Sequence, residues 1–204
     1  MIVSGRVGVL MLLATFLFVA SPARADKTYA ATLKAGAFSW RDPDQETAGE
    51  VVEYEPQSGM VVMAFERRRR HIALGGELLH FSGKWKARMP KQHPEGELDV
   101  SAINFVVRKY FSLPMEFAPF VGIGLGWADL ENRYGSSANE DTESVSSPVY
   151  QANVGTEWRW EGIGVVAEIK YLKIDVSKSW WFGANIGFPQ PEGYVGLVGL
   201  SFIF

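Results

Sequence analysis

Apolar residues recur at every second position through most of this chain. Tyr150, Ala152, Val154, Thr156, Trp158 and Trp160 share one parity, while Gln151, Asn153, Gly155, Glu157 and Arg159 share the other. A period of two marks a strand, because successive side chains point to opposite faces of a pleated sheet. The following segment repeats it, with Val165, Ala167, Ile169 and Tyr171 opposing Val166, Glu168, Lys170 and Leu172. Strands are expected near 29–40, 58–67, 71–83, 99–111, 117–130, 148–160, 164–176 and 193–204. Beyond the first 25 residues no stretch carries a helical period. The apolar faces are uninterrupted and the opposite faces hold charges of both signs. That is the inverse of a soluble sheet, and it predicts an apolar exterior around a charged interior.

The breaks between strands alternate in length. Short ones hold Arg68 to Arg70, Ser112 to Glu116 and Glu161 to Ile163; long polar ones run over 41–57, 84–98, 131–147 and 177–192. Short turns at one end and long loops at the other describe an up-and-down barrel. Strands that meet lipid must also close on themselves, because an open edge would leave backbone groups unpaired. The expected fold is therefore all-β: a closed antiparallel up-and-down transmembrane barrel of about eight strands, with both termini at the short-turn end.

The first 25 residues stand apart. Arg6 precedes an apolar run from Val7 to Ala20, and Ala23 and Ala25 fit a signal-peptidase site. Residues 1–25 are expected to be a cleaved secretory signal peptide and 26–204 the barrel domain. Setting aside Arg6 and Arg24 leaves 18 basic against 23 acidic residues, a balance that argues against nucleic acid as a partner. Cysteine is absent from the whole sequence, which excludes disulfides, thiol catalysis and thiolate metal sites.

Three segments, Pro119-Phe-Val-Gly-Ile-Gly-Leu-Gly126, Tyr150-Gln-Ala-Asn-Val-Gly-Thr-Glu-Trp158 and Ala167-Glu-Ile-Lys-Tyr171, together with the last strand, resemble the small OmpA-type and OmpX-type outer-membrane barrels. The resemblance implies a multi-pass barrel in the outer membrane of a Gram-negative bacterium, surrounded by lipid and lipopolysaccharide and expected as a monomer. It also implies that Gly199, Phe202 and Phe204 form a C-terminal assembly signal read by the barrel assembly machinery, although Leu197 stands where a polar residue is usual.

Several constellations are candidates for chemistry. Glu77, Arg108, Glu157, Arg159, Glu168 and Lys170 fall on the inward parity, where they form either a packed structural plug or a proton or ion path. His80 and Ser82 share the outward parity at the outer end of the third strand. Such a pair resembles outer-membrane lipid A deacylases, whose histidine activates a serine, but the nearby acid Glu77 has the opposite parity. Lys84, Lys86, Arg88 and Lys91 lie in the second long break, where they could meet lipopolysaccharide phosphates. Gly122, Gly124 and Gly126 lack the following helix of a dinucleotide loop and are expected to make room across the lumen. Asp129, Glu131, Glu140, Asp141 and Glu143 match no calcium-loop spacing and are expected in a solvated loop. The last long break carries Trp180, Trp181, Phe182 and Phe188, either an adhesive or ligand-contacting surface or an upper aromatic girdle, and the Trp pair suits the girdle. No cofactor or metal is implied. The expected role is a non-enzymatic one in envelope structure or surface interaction. The alternatives are a lipid A-modifying enzyme and a narrow, porin-like channel for small solutes.

Overall fold

The computed structural model describes residues 28–41, 44–47, 50–54, 57–88, 95–111, 116–136, 139–176 and 191–204. The segment 1–25, Lys91, the aromatic cluster Trp180 to Phe182 and Phe188 lie outside them. Ten strands follow one another: β1 (Thr28–Trp40), β2 (Asp44–Thr47), β3 (Glu50–Tyr54), β4 (Gln57–Arg69), β5 (Ile72–Arg88), β6 (Glu95–Tyr110), β7 (Phe117–Ser136), β8 (Asn139–Trp160), β9 (Ile163–Ile174) and β10 (Glu192–Ile203).

Eight of these close a barrel in which each strand pairs antiparallel with its neighbours, in the order β1, β4, β5, β6, β7, β8, β9, β10 and back to β1. The closing seam sets Ala30 opposite Ile203 and Trp40 opposite Gly193. Beyond the last ladder rung, Tyr29 and Phe204 exchange both backbone hydrogen bonds, at 2.8 and 2.9 Å, and their rings stack at 6.4 Å. The remaining strands, β2 and β3, form a hairpin that extends the sheet along the outer end of β5.

The outward face sorts by height. Phe117, Trp158, Trp160, Phe202 and Phe204 ring the short-turn end, and Trp127, Tyr150 and Tyr194 ring the other; all are exposed. Aliphatic side chains such as Leu74, Ile103, Ile123, Val154, Ile169 and Val198 fill the band between, also exposed. From Tyr150 to Trp160 the chain climbs about 25 Å along the barrel at ~3.3 Å per residue and ~40° tilt, the height of a bilayer's apolar core. Two aromatic girdles enclosing an aliphatic belt are what a membrane interior and its two interfaces select.

The long breaks differ from expectation. The second and third are largely β-structure: β5 continues to Arg88, β6 begins at Glu95, β7 runs to Ser136 and β8 starts at Asn139. The reason is a reversal of polarity at the girdle. Below Trp127 the outward residues are apolar and several inward ones polar. Above it Lys84, Asp99, Asp129 and Ser146 face outward, while Trp85, Leu98, Leu130 and Val145 are buried inside. The alternation continues past the membrane with its sign exchanged, because water has replaced lipid as the surroundings. The residues expected in a solvated loop, Asp129, Glu131 and Glu143, therefore lie on paired strands.

Candidate functional site: the barrel lumen and its two ends

The lumen is stacked in tiers. The tier toward the long loops is apolar, with Phe38, Met60, Phe81, Leu98, Val100, Leu130, Val149 and Leu172 among a contiguous buried cluster. Phe38 packs between Trp40, edge-on at 5.1 Å, and Phe81, stacked at 4.8 Å. Trp85 joins them and donates its indole N–H to Asn132 Oδ1 at 2.7 Å.

Beneath this tier lies a charge network. Among the described residues eight charged side chains are buried: Lys34, Arg68, Arg108 and Lys170 against Glu66, Glu77, Glu157 and Glu168. Four cations meet four anions, so the buried set is neutral. Glu77 is the hub. It accepts from Lys34 at 2.8 Å and from the Gln151 amide at 2.7 Å, and it also pairs with Arg108 and Lys170. Lys34 bridges to Glu168 at 2.7 Å, and Asn153 donates to the other Glu168 oxygen at 2.9 Å. Arg108 continues to Glu66, whose carboxylate also accepts from the Tyr110 hydroxyl at 3.0 Å. Arg68 grips Glu157 with both terminal nitrogens, at 2.7 and 3.1 Å.

Gly122, Gly124 and Gly126 give this network its space. A Cβ at Gly124 would stand 2.7 Å from the Gln151 amide nitrogen; at Gly122 it would run into Asn153 and Arg108, and at Gly126 into Asn104.

Of the six inward charges picked out in the sequence, five are buried together. Arg159 is different: its side chain is 39% exposed at the short-turn mouth, where Nε donates to Glu157 at 2.8 Å. Lys34, Glu66 and Arg68 complete the network and were missed, although parity could have found them. Lys34 alternates with Leu33 and Ala35 as Glu168 does with its neighbours, but a lone lysine in an otherwise small and apolar strand carries little signal by itself.

The remaining candidates lie on the outward face. His80 and Ser82 sit where its polarity reverses, and the histidine Nδ1 is 3.0 Å from the hydroxyl of Ser101 on β6. The sequence pair is therefore not the hydrogen-bonded pair. In register the outward row runs His80, Ser101, Asp129, Ser146, so the carboxylate borders the serine's strand and not the histidine's. A triad needs the acid on the histidine. Lys84 and Lys86 stand exposed beyond the girdle on β5, and Arg88 ends that strand. Phe202 and Phe204 are exposed in the short-turn girdle, whereas Gly199 lies on the inward parity opposite Lys34.

At the outer rim Glu192 gathers three donors: Tyr171 Oη at 2.7 Å, Lys173 Nζ at 3.2 Å, and Arg41. The hydrogen bonds from Tyr171 and Arg41 hold its carboxyl down at about 2, from an ordinary 4.5. A depressed carboxyl pKa contributes stability above the unfolded value and loses it as pH falls through the folded one. The rim contact is thus expected to persist below pH 4.5 and to open toward pH 2. A carbon-detected titration of Glu192 with a midpoint near 4.5 would contradict it.

No protein-family model matches the chain, and no curated protein matches it. Solved structures do. The chain is similar to the outer membrane protein OprG of Pseudomonas aeruginosa, with a TM-score of 0.61 and 10% identity over 87% of this chain and 95% of that one. It is similar to Neisserial surface protein A at TM-score 0.55 and 11% identity, covering 87% and 97% of the two chains. It is also similar to Ail, the attachment invasion locus protein of Yersinia pestis, at TM-score 0.53 and 10% identity, covering 89% and 100%. The likeness is one of fold: this chain is a closed eight-stranded β-barrel of the outer-membrane type.

Proposed function

We propose that this chain is a monomeric integral outer-membrane protein whose filled lumen is structural, and whose role is at the envelope surface rather than in solute passage. One observation carries the reading: an apolar tier is packed directly over a neutral, fully paired charge network. Ions entering from the short-turn mouth would meet buried Phe38, Phe81 and Leu130 before reaching the far end. Eight strands leave an interior that side chains can fill. Purified protein in planar bilayers is expected to give no steady conductance above the lipid background; stable, large open steps would overturn the plug.

Lipopolysaccharide is the proposed surface ligand, by way of Lys84, Lys86, Arg88 and Lys91. In its favour, Lys84 and Lys86 leave the belt at the height where phosphates of an outer leaflet lie, and each basic residue near an anionic surface contributes ~1 kcal/mol. The pairing of Lys86 with Glu95, at 3.9 Å between side chains that are both 72% exposed, is too loose to neutralise the patch. Glutamine at all four positions should lower the lipopolysaccharide phosphate that co-purifies per barrel. Unchanged retention would count against the contact.

A further inference from the structure

The short-turn mouth of the barrel holds an open cavity of about 270 Å³, lined by Thr28, Arg68, Arg70, Tyr110, Arg159 and Ile203. Three of those six residues are arginines. A single water needs only ~10–15 Å³, so there is room here for a polyatomic group.

The charges around the cavity do not cancel. The buried set above it is neutral, four against four. Arg159 and Arg70 are not part of that set. Glu157 accepts two bonds from Arg68 and one from Arg159 Nε, so its two oxygens are committed. Among the described residues no carboxylate pairs with the terminal nitrogens of Arg159 or with Arg70. Arg70 occupies the β4–β5 turn at φ 55°, left-handed backbone that is costly for a long side chain, and there it lines the mouth. The floor is preorganised. Tyr110 is buried, its hydroxyl is tied to Glu66 at 3.0 Å, and the guanidiniums of Arg68 and Arg159 lie 4.8 and 5.1 Å from its ring centroid. That stacking holds Arg159 with its remaining N–H groups free to be satisfied by another acceptor.

We propose that this vestibule binds a phosphate group, held between Arg159 and Arg70 over the Tyr110 floor. Guanidinium forks match the oxygens of a phosphate bidentately, and they remain charged at any physiological pH. Arg70, which has no carboxylate partner among the described residues, and Arg159, which shares Glu157 with Arg68 and keeps its terminal nitrogens unpaired, attract a dianion more strongly in a partly enclosed, low-dielectric mouth than the same pair on an open surface. The phosphate can belong to a free ion or to the headgroup of an anionic lipid in the leaflet at the short-turn end. Both sources present the same chemistry. Phosphate binding at this mouth does not depend on whether the lumen conducts.

The experiment uses the refolded full barrel and three variants: Arg159→Gln, Arg70→Asn, and the two combined. Asparagine tolerates the left-handed turn, and Glu157 keeps its bidentate Arg68 partner when Arg159 is replaced, so folding is checked by gel mobility and should be intact. Lys109→Gln, on the outward parity of β6, removes a nearby charge without touching the vestibule. One arm titrates inorganic phosphate in neutral detergent and follows the ³¹P line. The other counts phosphatidylglycerol retained from mixed phosphatidylglycerol–phosphatidylcholine nanodiscs by native mass spectrometry. Binding in either arm is expected, weakened at least tenfold in the double variant, unchanged in Lys109→Gln, and reduced by 1 M salt. The responding arm identifies the source. Absence of binding in both arms, or equal binding by the double variant, would overturn the proposal.

Discussion

Replacing Glu77 with glutamine is expected to destabilise the barrel by about 3–5 kcal/mol, the usual cost of removing one member of a buried ion pair. The magnitude follows from what Glu77 holds. Lys34, Lys170, Arg108 and Gln151 all converge on its two oxygens, and the residue is 1% exposed. Glutamine keeps the shape and loses the charge, which leaves four buried cations facing three anions. A low-dielectric interior does not tolerate that excess, whereas a set balanced at three against three is tolerated. The combined variant Glu77→Gln with Lys170→Met restores the balance and should recover most of the loss, because removing both partners costs far less than removing one. Urea unfolding in lipid vesicles, followed by tryptophan fluorescence, gives both numbers. A single variant that loses less than about 1 kcal/mol would mean the network is not what holds the lumen, as would a double variant no better than the single.

The barrel itself was legible because lipid imposes a simple rule. Every strand crossing the bilayer shows an apolar outward parity, and no helix-length apolar run competes with that pattern beyond the first 25 residues. The hidden parts have physical reasons. The rule stops at the girdle: Asp99 and Leu98, or Glu131 and Leu130, alternate as well as any membrane residue, but with polar residues outside, so the extensions of β5 to β8 resemble loops when judged by polarity alone. Lys34 was hard to pick out because it is the one charge in the inward row of β1, and Glu66 because it shares its row with Arg68 at the edge of an arginine-rich turn; only the closed ladder brings them beside Glu168 and Arg108. His80 illustrates the converse. Proximity along the chain suggested Ser82, but the nearest hydroxyl comes from a neighbouring strand through a register that no single segment encodes.

Gly199 carries the second large effect, and it connects the last strand to the network. The sequence's resemblance to outer-membrane barrels makes it an expected part of an assembly signal with Phe202 and Phe204. In the barrel it faces inward across the seam from Lys34, and an added Cβ would collide with the backbone carbonyl of Leu33 and crowd the Lys34 stem at 2.7 Å. Valine there is therefore expected to spread the β1–β10 seam and push the lysine away from Glu77 and Glu168. Overpacking alone costs about 1–3 kcal/mol, and the displaced ion pair adds several more. Gly196, three residues earlier on β10, provides the control. It points outward, and a Cβ there meets nothing within 4 Å. Gly196→Val should fold as the wild type does, because it adds β-propensity on a lipid-facing surface. If glycine mattered only for strand flexibility, the two valines would behave alike. If space for Lys34 decides, Gly199→Val alone should lose the folded, heat-modifiable gel band and unfold at lower urea, and equal behaviour of the two variants would refute the link between seam and lumen.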